Sequence, residues 1–340
     1  MAATLLDGQF GFKKETTFGT GVTVDRFLEV LADGTSHKPD AMPIQGMGLR
    51  VAGRFDRSAR LTAGRGKGEV TVKAEIFSKG FGTLWELCVG TSASNNVSGA
   101  TYQQLHTAVI TGTVYPSATV QIGTPITTSS GSVTAHTYAG CVVKSWTLEF
   151  PADGIPTLTV NFWAASYTSA TGLASASYAT TPTIFTTKAA TTKIGGTYTV
   201  PTTTALTTTS SMTTVTDVRS WSITADNGIN ERPRLGGWQV PTSGKPSITV
   251  QWEIDSDATT YETAYMSQTA LPFFAQVTGG SLSTGSETLE VLVPDLRITD
   301  HDFTQLTNGD GHVASITAKA TDNSTDVPLY LVCRTSDTAL

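Results

Sequence analysis

"GKPSITVQWEIDS", residues 244–256, alternates apolar and polar side chains, and nearly the same words stand earlier as "GKGEVTVKAEIFS", residues 66–78. Seven of the thirteen positions are identical at one fixed shift of 178. Successive side chains of a strand point to opposite faces, so Val70, Val72, Ala74 and Ile76 share one face, as do Ile248, Val250, Trp252 and Ile254. The other face is polar in both copies: Glu69, Thr71, Lys73 and Glu75 in the first, Ser247, Thr249, Gln251, Glu253 and Asp255 in the second. One half-buried strand has been written twice.

The flanks repeat as well. Upstream stand "RFLEVLADG" (26–34) and "RSWSITADNG" (219–228), each an alternating run closed by a glycine turn and followed by a long loop, from about Asp33 to Lys67 and from about Asp226 to Lys245. Downstream, "KGFGTLWELCVG" (79–90) and "DATTYETAYMSQ" (257–268) read as the single helix of each unit, with stripes through Phe81, Leu84, Trp85 and Cys88, and through Tyr261, Ala264 and Tyr265. Strands follow at 118–124, 142–150 and 157–166 in the first unit and at 273–279, 295–303 and 312–321 in the second. This order predicts an all-β-dominated chain made by tandem duplication of a β-sandwich unit with one helix. The expected divisions are an N-terminal arm (1–24), a first unit (25–170), a Thr/Ser-rich connection with strands (171–215) and a second unit (216–340).

Composition agrees with that class. The 340 residues are 39% hydrophobic and only 15% charged, Thr and Ser abound, and long helical periodicities are missing. Net charge is −6, with 14 Lys/Arg against 12 Asp/Glu in residues 1–189 and 8 against 16 in residues 190–340, the wrong balance for a protein that holds nucleic acid. Cys88, Cys141 and Cys333 are far apart and show no CxxC spacing, which predicts reduced, buried thiols. No basic-then-apolar leader and no apolar run near 20 residues is present, so the expectation is a protein made in a cytosol with no membrane contact.

Catalytic chemistry finds little to work with. "GMGLRVAG" and "GRGKGEV" lack the Lys-Ser/Thr ending and the strand-to-helix setting of a phosphate loop. In "DHD" (300–302) neighbouring side chains face opposite sides, "NGDGH" (308–312) reads as a turn, and the five histidines are scattered with no Ser or Cys motif beside them. The expectation is no enzyme, no cofactor and no metal.

"FGFKKETTFGTGVTVDRFLEVL", "RVAGRFDRSARLTAGRGKGEVTVKAEI", "YAGCVVKSWTLEF" and "SWSITADNGINERPRLGG" resemble the tail tube, or major tail, proteins of long-tailed bacteriophages with non-contractile tails. The resemblance implies a virion protein that polymerises into stacked rings, is assembled in the host cytoplasm, and forms the conduit for DNA ejection. It implies contacts with tail tip, tail terminator and tape measure proteins, and a lumen that passes double-stranded DNA without specific binding. Single-unit members form six-fold rings; two fused units imply a trimer with pseudo-six-fold symmetry, with a hexamer as the alternative. A tail terminator, a capsid decoration protein, or a β-sandwich adhesin or carbohydrate-binding module would share this composition.

Two sets of residues stand out for such an assembly. Loops longer than about 12–15 residues are usually functional or disordered, and here they carry Arg50, Arg54, Arg57, Arg60 and Arg65 in the first, Arg232 and Arg234 in the second, candidates for contacts between rings. The polar strand face, Glu69, Thr71, Glu75, Thr249, Gln251, Glu253 and Asp255, is the candidate channel lining, acidic and hydroxyl-rich enough to repel a phosphate backbone.

Overall fold

The two repeated segments form β6 (Lys67–Glu75) and β18 (Ser247–Ile254), each second in a run of four antiparallel strands. The computed structural model describes residues 7–48, 55–112, 114–125, 132–255, 259–303 and 313–338. In the first run the order is β3 (Ser36–Asp40), β6, β11 (Thr157–Ala164) and the C-terminal half of β10 (Val133–Phe150). In the second it is β15 (Val218–Asp226), β18, β22 (Ala314–Ala320) and β21 (Leu296–Phe303). The order of pairing is the same in both runs, but the upstream flank is not the one the sequence suggested. The stretch at 26–34 gives β2 (Arg26–Leu28), which pairs outside these four strands with β1 (Gln9–Lys14). β3, from the stretch read as loop, takes the place beside β6 that β15 takes beside β18.

The two runs are one sheet. The last strand of the first run pairs with the first strand of the second, from Ser145 opposite Asp226 to Phe150 opposite Trp221. Alternation then sorts the sheet's two faces: Val70, Val72, Val160, Trp146, Leu148, Ile223, Val250, Trp252 and Ile316 are buried beneath, and Ser, Thr and charged residues lie on top.

Beneath it lies a second layer in the order β14 (Thr213–Val215), β13 (Ala190–Ile194), β19 (Phe273–Ser281), β20 (Ser286–Val293), β23 (Tyr330–Thr335), β8 (Thr101–Ala108) and β7 (Gly90–Ser98). The C-terminal β23 stands between β20 of the second half and β8 of the first, so both layers and the main apolar core run through both halves, with a small separate cluster of Met212, Phe274 and Leu292. The Thr-rich connection supplies β13 and β14 to this layer, and its stretch 202–205 is bonded to β8 and β23. Gln103 Nε2 donates to Thr202 O at 2.7 Å and Ala205 O at 2.9 Å, and Arg334 Nη2 donates to Gln103 Oε1 at 2.6 Å.

The helices are α1 (Gly82–Val89) and α2 (Thr259–Ser267), one after each repeated strand as the sequence predicts. In α2 the apolar stripe holds, Tyr261 and Ala264 buried and Tyr265 half-buried. In α1 burial extends beyond the stripe to Thr83, Leu87 and Val89, because the helix is enclosed on several sides, with Trp85 edge-on to Trp146 at 6.3 Å.

A flap completes the first half. The N-terminal half of β10 pairs with β9 (Ala118–Pro125) and β12 (Ser166–Thr168), and β9 pairs with β1 (Gln9–Lys14), which pairs with β2 (Arg26–Leu28). The strand changes sheets at Gly140, whose φ of 65° favours glycine and whose N–H donates to Glu15 Oε1 at 2.9 Å. The buried Glu15 carboxylate also accepts from Ser117 Oγ, Thr119 Oγ1 and Gly19 N–H, so four donors offset its burial without a cation. Cys88 and Cys141 are free and buried, Cys333 free and half-buried.

Candidate assembly interface

The polar face is a field of cross-strand rows spanning both halves. One row runs Thr71, Asn161, Ser145, Asp226, Ser247; the next Lys73, Thr159, Thr147, Thr224, Thr249, Lys319, Arg297; the third Glu75, Thr157, Glu149, Ser222, Gln251, Thr317, Asp300. Neighbours bond along the rows: Thr71 Oγ1 donates to Asn161 Oδ1 at 2.8 Å, Asn161 Nδ2 to Ser145 Oγ at 3.0 Å, and the Thr147 and Thr224 hydroxyls meet at 3.3 Å.

All seven candidate lining residues lie on or beside this face. Glu69, Thr71 and Glu75 of β6 and Thr249, Gln251 and Glu253 of β18 are on the field itself, and Asp255 closes its end, ion-paired with Arg219. Glu253 accepts from Ser220 Oγ at 3.2 Å. The strands between the two copies shift its chemistry from acidic toward hydroxyl-rich with both signs of charge. Lys73 pairs with Glu149 at 3.7 Å, and Arg297 with Asp295 at 3.0 Å.

Among the described residues the sheet ends at β3 on one side and β21 on the other. β3 carries Pro39, which edge strands tolerate because no donor is needed there. It is pinned from behind by His37, whose Nδ1 lies 2.8 Å from the Tyr138 hydroxyl and whose ring centre lies 4.5 Å from that of His136. Burial and the neighbouring imidazole hold His37 below its ordinary value, so the pair is neutral at pH 7. On β21, the Leu296 and Ile298 carbonyls accept from Leu271 N–H at 2.9 Å and Gln268 Nε2 at 3.1 Å.

The described parts of the two long loops carry short strands, and both loops leave the same end of the sheet. The second is a hairpin of β16 (Ile229–Arg234) and β17 (Gly237–Ser243); the first leaves β3 and returns through a two-residue ladder of β4 (Ile44–Gln45) and β5 (Leu61–Thr62). They meet at a seam that sequence reasoning missed. Trp238 stands edge-on to Trp163 at 5.2 Å and donates Nε1–H to Gly66 O at 2.8 Å, while Glu231 lies 3.4 Å from Lys67 and 3.9 Å from Lys144. The signal was a lone tryptophan beside a Gly-Gly turn in a polar stretch, "LGGWQV".

The arginines divide accordingly. Arg65 is engaged within the chain, its guanidinium 5.3 Å over the Trp238 ring and Nη2 donating to Arg234 O at 2.6 Å. Arg234 is exposed and Arg232 half-buried on the second arm; Arg57 and Arg60 lie on the first, Arg60 Nη1 donating to Gly48 O at 3.3 Å. Arg50, Arg54 and the "NGDGH" turn lie outside the described residues. Between the arginines the arms present apolar side chains to solvent: Met47 at 92%, Phe55 at 90%, Ile44 and Leu61 at more than half, and Leu235 fully exposed. Exposed apolar side chains of this size are of the kind that contact surfaces use.

Among the described residues, no group of three or more His, Cys, Asp or Glu is placed to hold a metal, and no helix is long and apolar enough to cross a membrane. The profile of a family described as phage tail tube protein matches residues 6–327, nearly the whole chain. No curated protein matches the sequence.

Proposed function

The chain belongs to the phage tail tube protein family, a structural component of the virion tail that assembles into a tube, and from that premise we propose that three copies close each ring. The observation that carries this reading is the joint between β10 and β15. Inside the chain, one four-stranded run already adds edge to edge to the next, and the composite still ends in the same kinds of strand, β3 and β21. Adding β3 of a second copy to the outer edge of β21, beyond the capped Ile298 carbonyl, repeats the internal joint, and three chains supply six runs. An all-β unit removes its open edges in this way.

Closure in that sense puts the polar field toward the bore. Hydroxyls bonded to one another, and cations paired with carboxylates, offer a phosphate backbone no continuous basic track, so double-stranded DNA passes without being held. The arms project from one end of the ring. Their exposed Met47, Phe55 and Leu235 dock on the next ring, with Arg57 and Arg234 orienting the contact. Tail tip, terminator and tape measure proteins are the expected further partners, and assembly takes place in the host cytoplasm.

A reconstruction of the assembled protein without imposed symmetry tests the reading. Three chains per ring, with β6 and β18 alternating around the bore, is the expected result. Six whole chains with one copy of the repeat inside would overturn it.

A further inference from the structure

The internal repeat assigns a second contact to the first arm. The inference rests on the ring proposed above. The shift of 178 that superposes β6 on β18 also places Arg65–Lys67 on Ser243–Lys245 and Arg60 on Trp238. Strand pairing extends the correspondence: Val72 is opposite Val160 and Val250 is opposite Ala318, so β11 answers to β22, and Trp163 and Ala164 answer to Thr321 and Asp322.

Within the chain, the second arm seats Trp238 on Trp163, beside Arg65 and Gly66, in the run that precedes it. The first arm has no preceding run in its own chain. The equivalent seat, Ser243–Lys245 with Thr321 and Asp322, lines an open groove of about 660 Å³ that reaches inward to Val89 and Leu329 and is rimmed by the exposed Ile110 and Val114. In a ring this groove faces the first arm of the next copy, because that copy follows the second run as the second run follows the first.

We propose that Arg60 of one chain seats on Asp322 of the next, turning the aromatic seam inside the chain into an ionic seam between chains. The side chains fit that role. Arg60 is exposed, and its contact in the described structure is the Gly48 carbonyl of its own arm. Asp322 is exposed, with Oδ1 accepting from the Ser324 N–H at 2.7 Å, a geometry that fixes its carboxylate at the groove. Neither forms an ion pair within the chain among the described residues. Leu61, beside Arg60, is exposed and of a size to cover Ile110 and Val114 at the rim. The contact is lateral and lies at the base of the arm, leaving Met47 and Phe55 free to meet the next ring.

Charge reversal tests it. Arg60→Glu and Asp322→Arg, each alone, should raise the protein concentration needed for ring formation about tenfold or more, and the double variant should return it to within about threefold of the wild-type protein. Native mass spectrometry reads the chain count, and circular dichroism confirms that each variant is folded. Single variants that form rings like the wild-type protein, or a double variant as impaired as the sum of the two, would overturn the Arg60–Asp322 seam and leave the ring intact. A wild-type protein that forms no three-chain species at any concentration would overturn the ring reading and the seam with it.

Discussion

The two arms occupy the same place in the repeat and differ in how they are held. The second is a hairpin, bulged between Asn230 and Arg232, clamped to the body by Trp238, Glu231 and the Arg65 guanidinium. The first has a two-residue ladder, and its apolar side chains face solvent. The second arm has its partner inside the chain, whereas the first leaves Arg60 and several apolar side chains exposed, as the proposed ring requires. The lesson is that an internal seam can be used as a template for an intermolecular one.

The largest expected effect comes from removing the apolar tips. Met47→Ser, Phe55→Ser and Leu235→Ser together should leave folded rings but cut pelletable tube at least tenfold, since each side chain contributes on the order of 1.5–3 kcal/mol if fully buried in every contact. Sedimentation with electron microscopy reads the result. Normal tubes would show that the exposed tips are incidental and that the two arms are alike in doing nothing between rings.

Trp238→Ala should sharpen the contrast from the other side. It removes the edge-on contact with Trp163, the bond to Gly66 O and the platform under Arg65, and should cost the isolated chain roughly 2 kcal/mol, less than a fully buried tryptophan because Trp238 is half-exposed. Arg60→Ala, at the equivalent place on the first arm, should change the stability of the isolated chain by no more than about 0.5 kcal/mol. Urea unfolding measures both. Equal losses would mean that the first arm is as firmly held as the second.

Much of this was legible in the sequence, and the failures have physical causes. The strand repeat, the two helices and the polar face follow from local periodicity, which the chain obeys. β3 was hidden because "SHKPD" is polar and contains Pro39; only its place at an edge, bonded to β6, makes it a strand. The β10–β15 joint and the insertion of β23 between β20 and β8 are pairings between distant segments, and alternation says which face is buried but not which strand is the neighbour. The arginines drew attention on the arms as charges. The apolar tips beside them were missed, because exposure is a property of the fold and not of the residue.

The halves are also expected to respond to acid with opposite sign, through one buried group in each. In the first half, His106 of β8 is fully buried with both ring nitrogens lacking a hydrogen-bond partner among the described residues, and burial pushes it from 6.5 down to about 3. In the unfolded chain the imidazole takes a proton as pH falls below 6.5, while in the fold it resists until about 3. Between those values the unfolded state binds more protons, and stability falls by up to about 1.4 kcal/mol per pH unit. In the second half, Glu290 of β20 is buried and raised above its ordinary 4.5 by desolvation, partly offset by the Thr207 N–H at 3.0 Å, Gln276 Nε2 at 2.6 Å and the Arg334 charge. There the fold holds a proton that the unfolded chain has lost, so stability falls as pH rises from 4.5 through the raised value. The two groups act with opposite sign. His106→Leu should flatten the loss of stability between pH 6 and pH 4 by about one proton's worth, His37 and His136 keeping their own smaller share of the slope. Glu290→Gln should steepen that loss slightly, because the opposing carboxylate is gone. Urea midpoints at pH 4, 5, 6 and 7 separate the variants. Identical pH slopes in the wild-type protein and His106→Leu would mean that the buried imidazole is hydrated or already protonated in the fold.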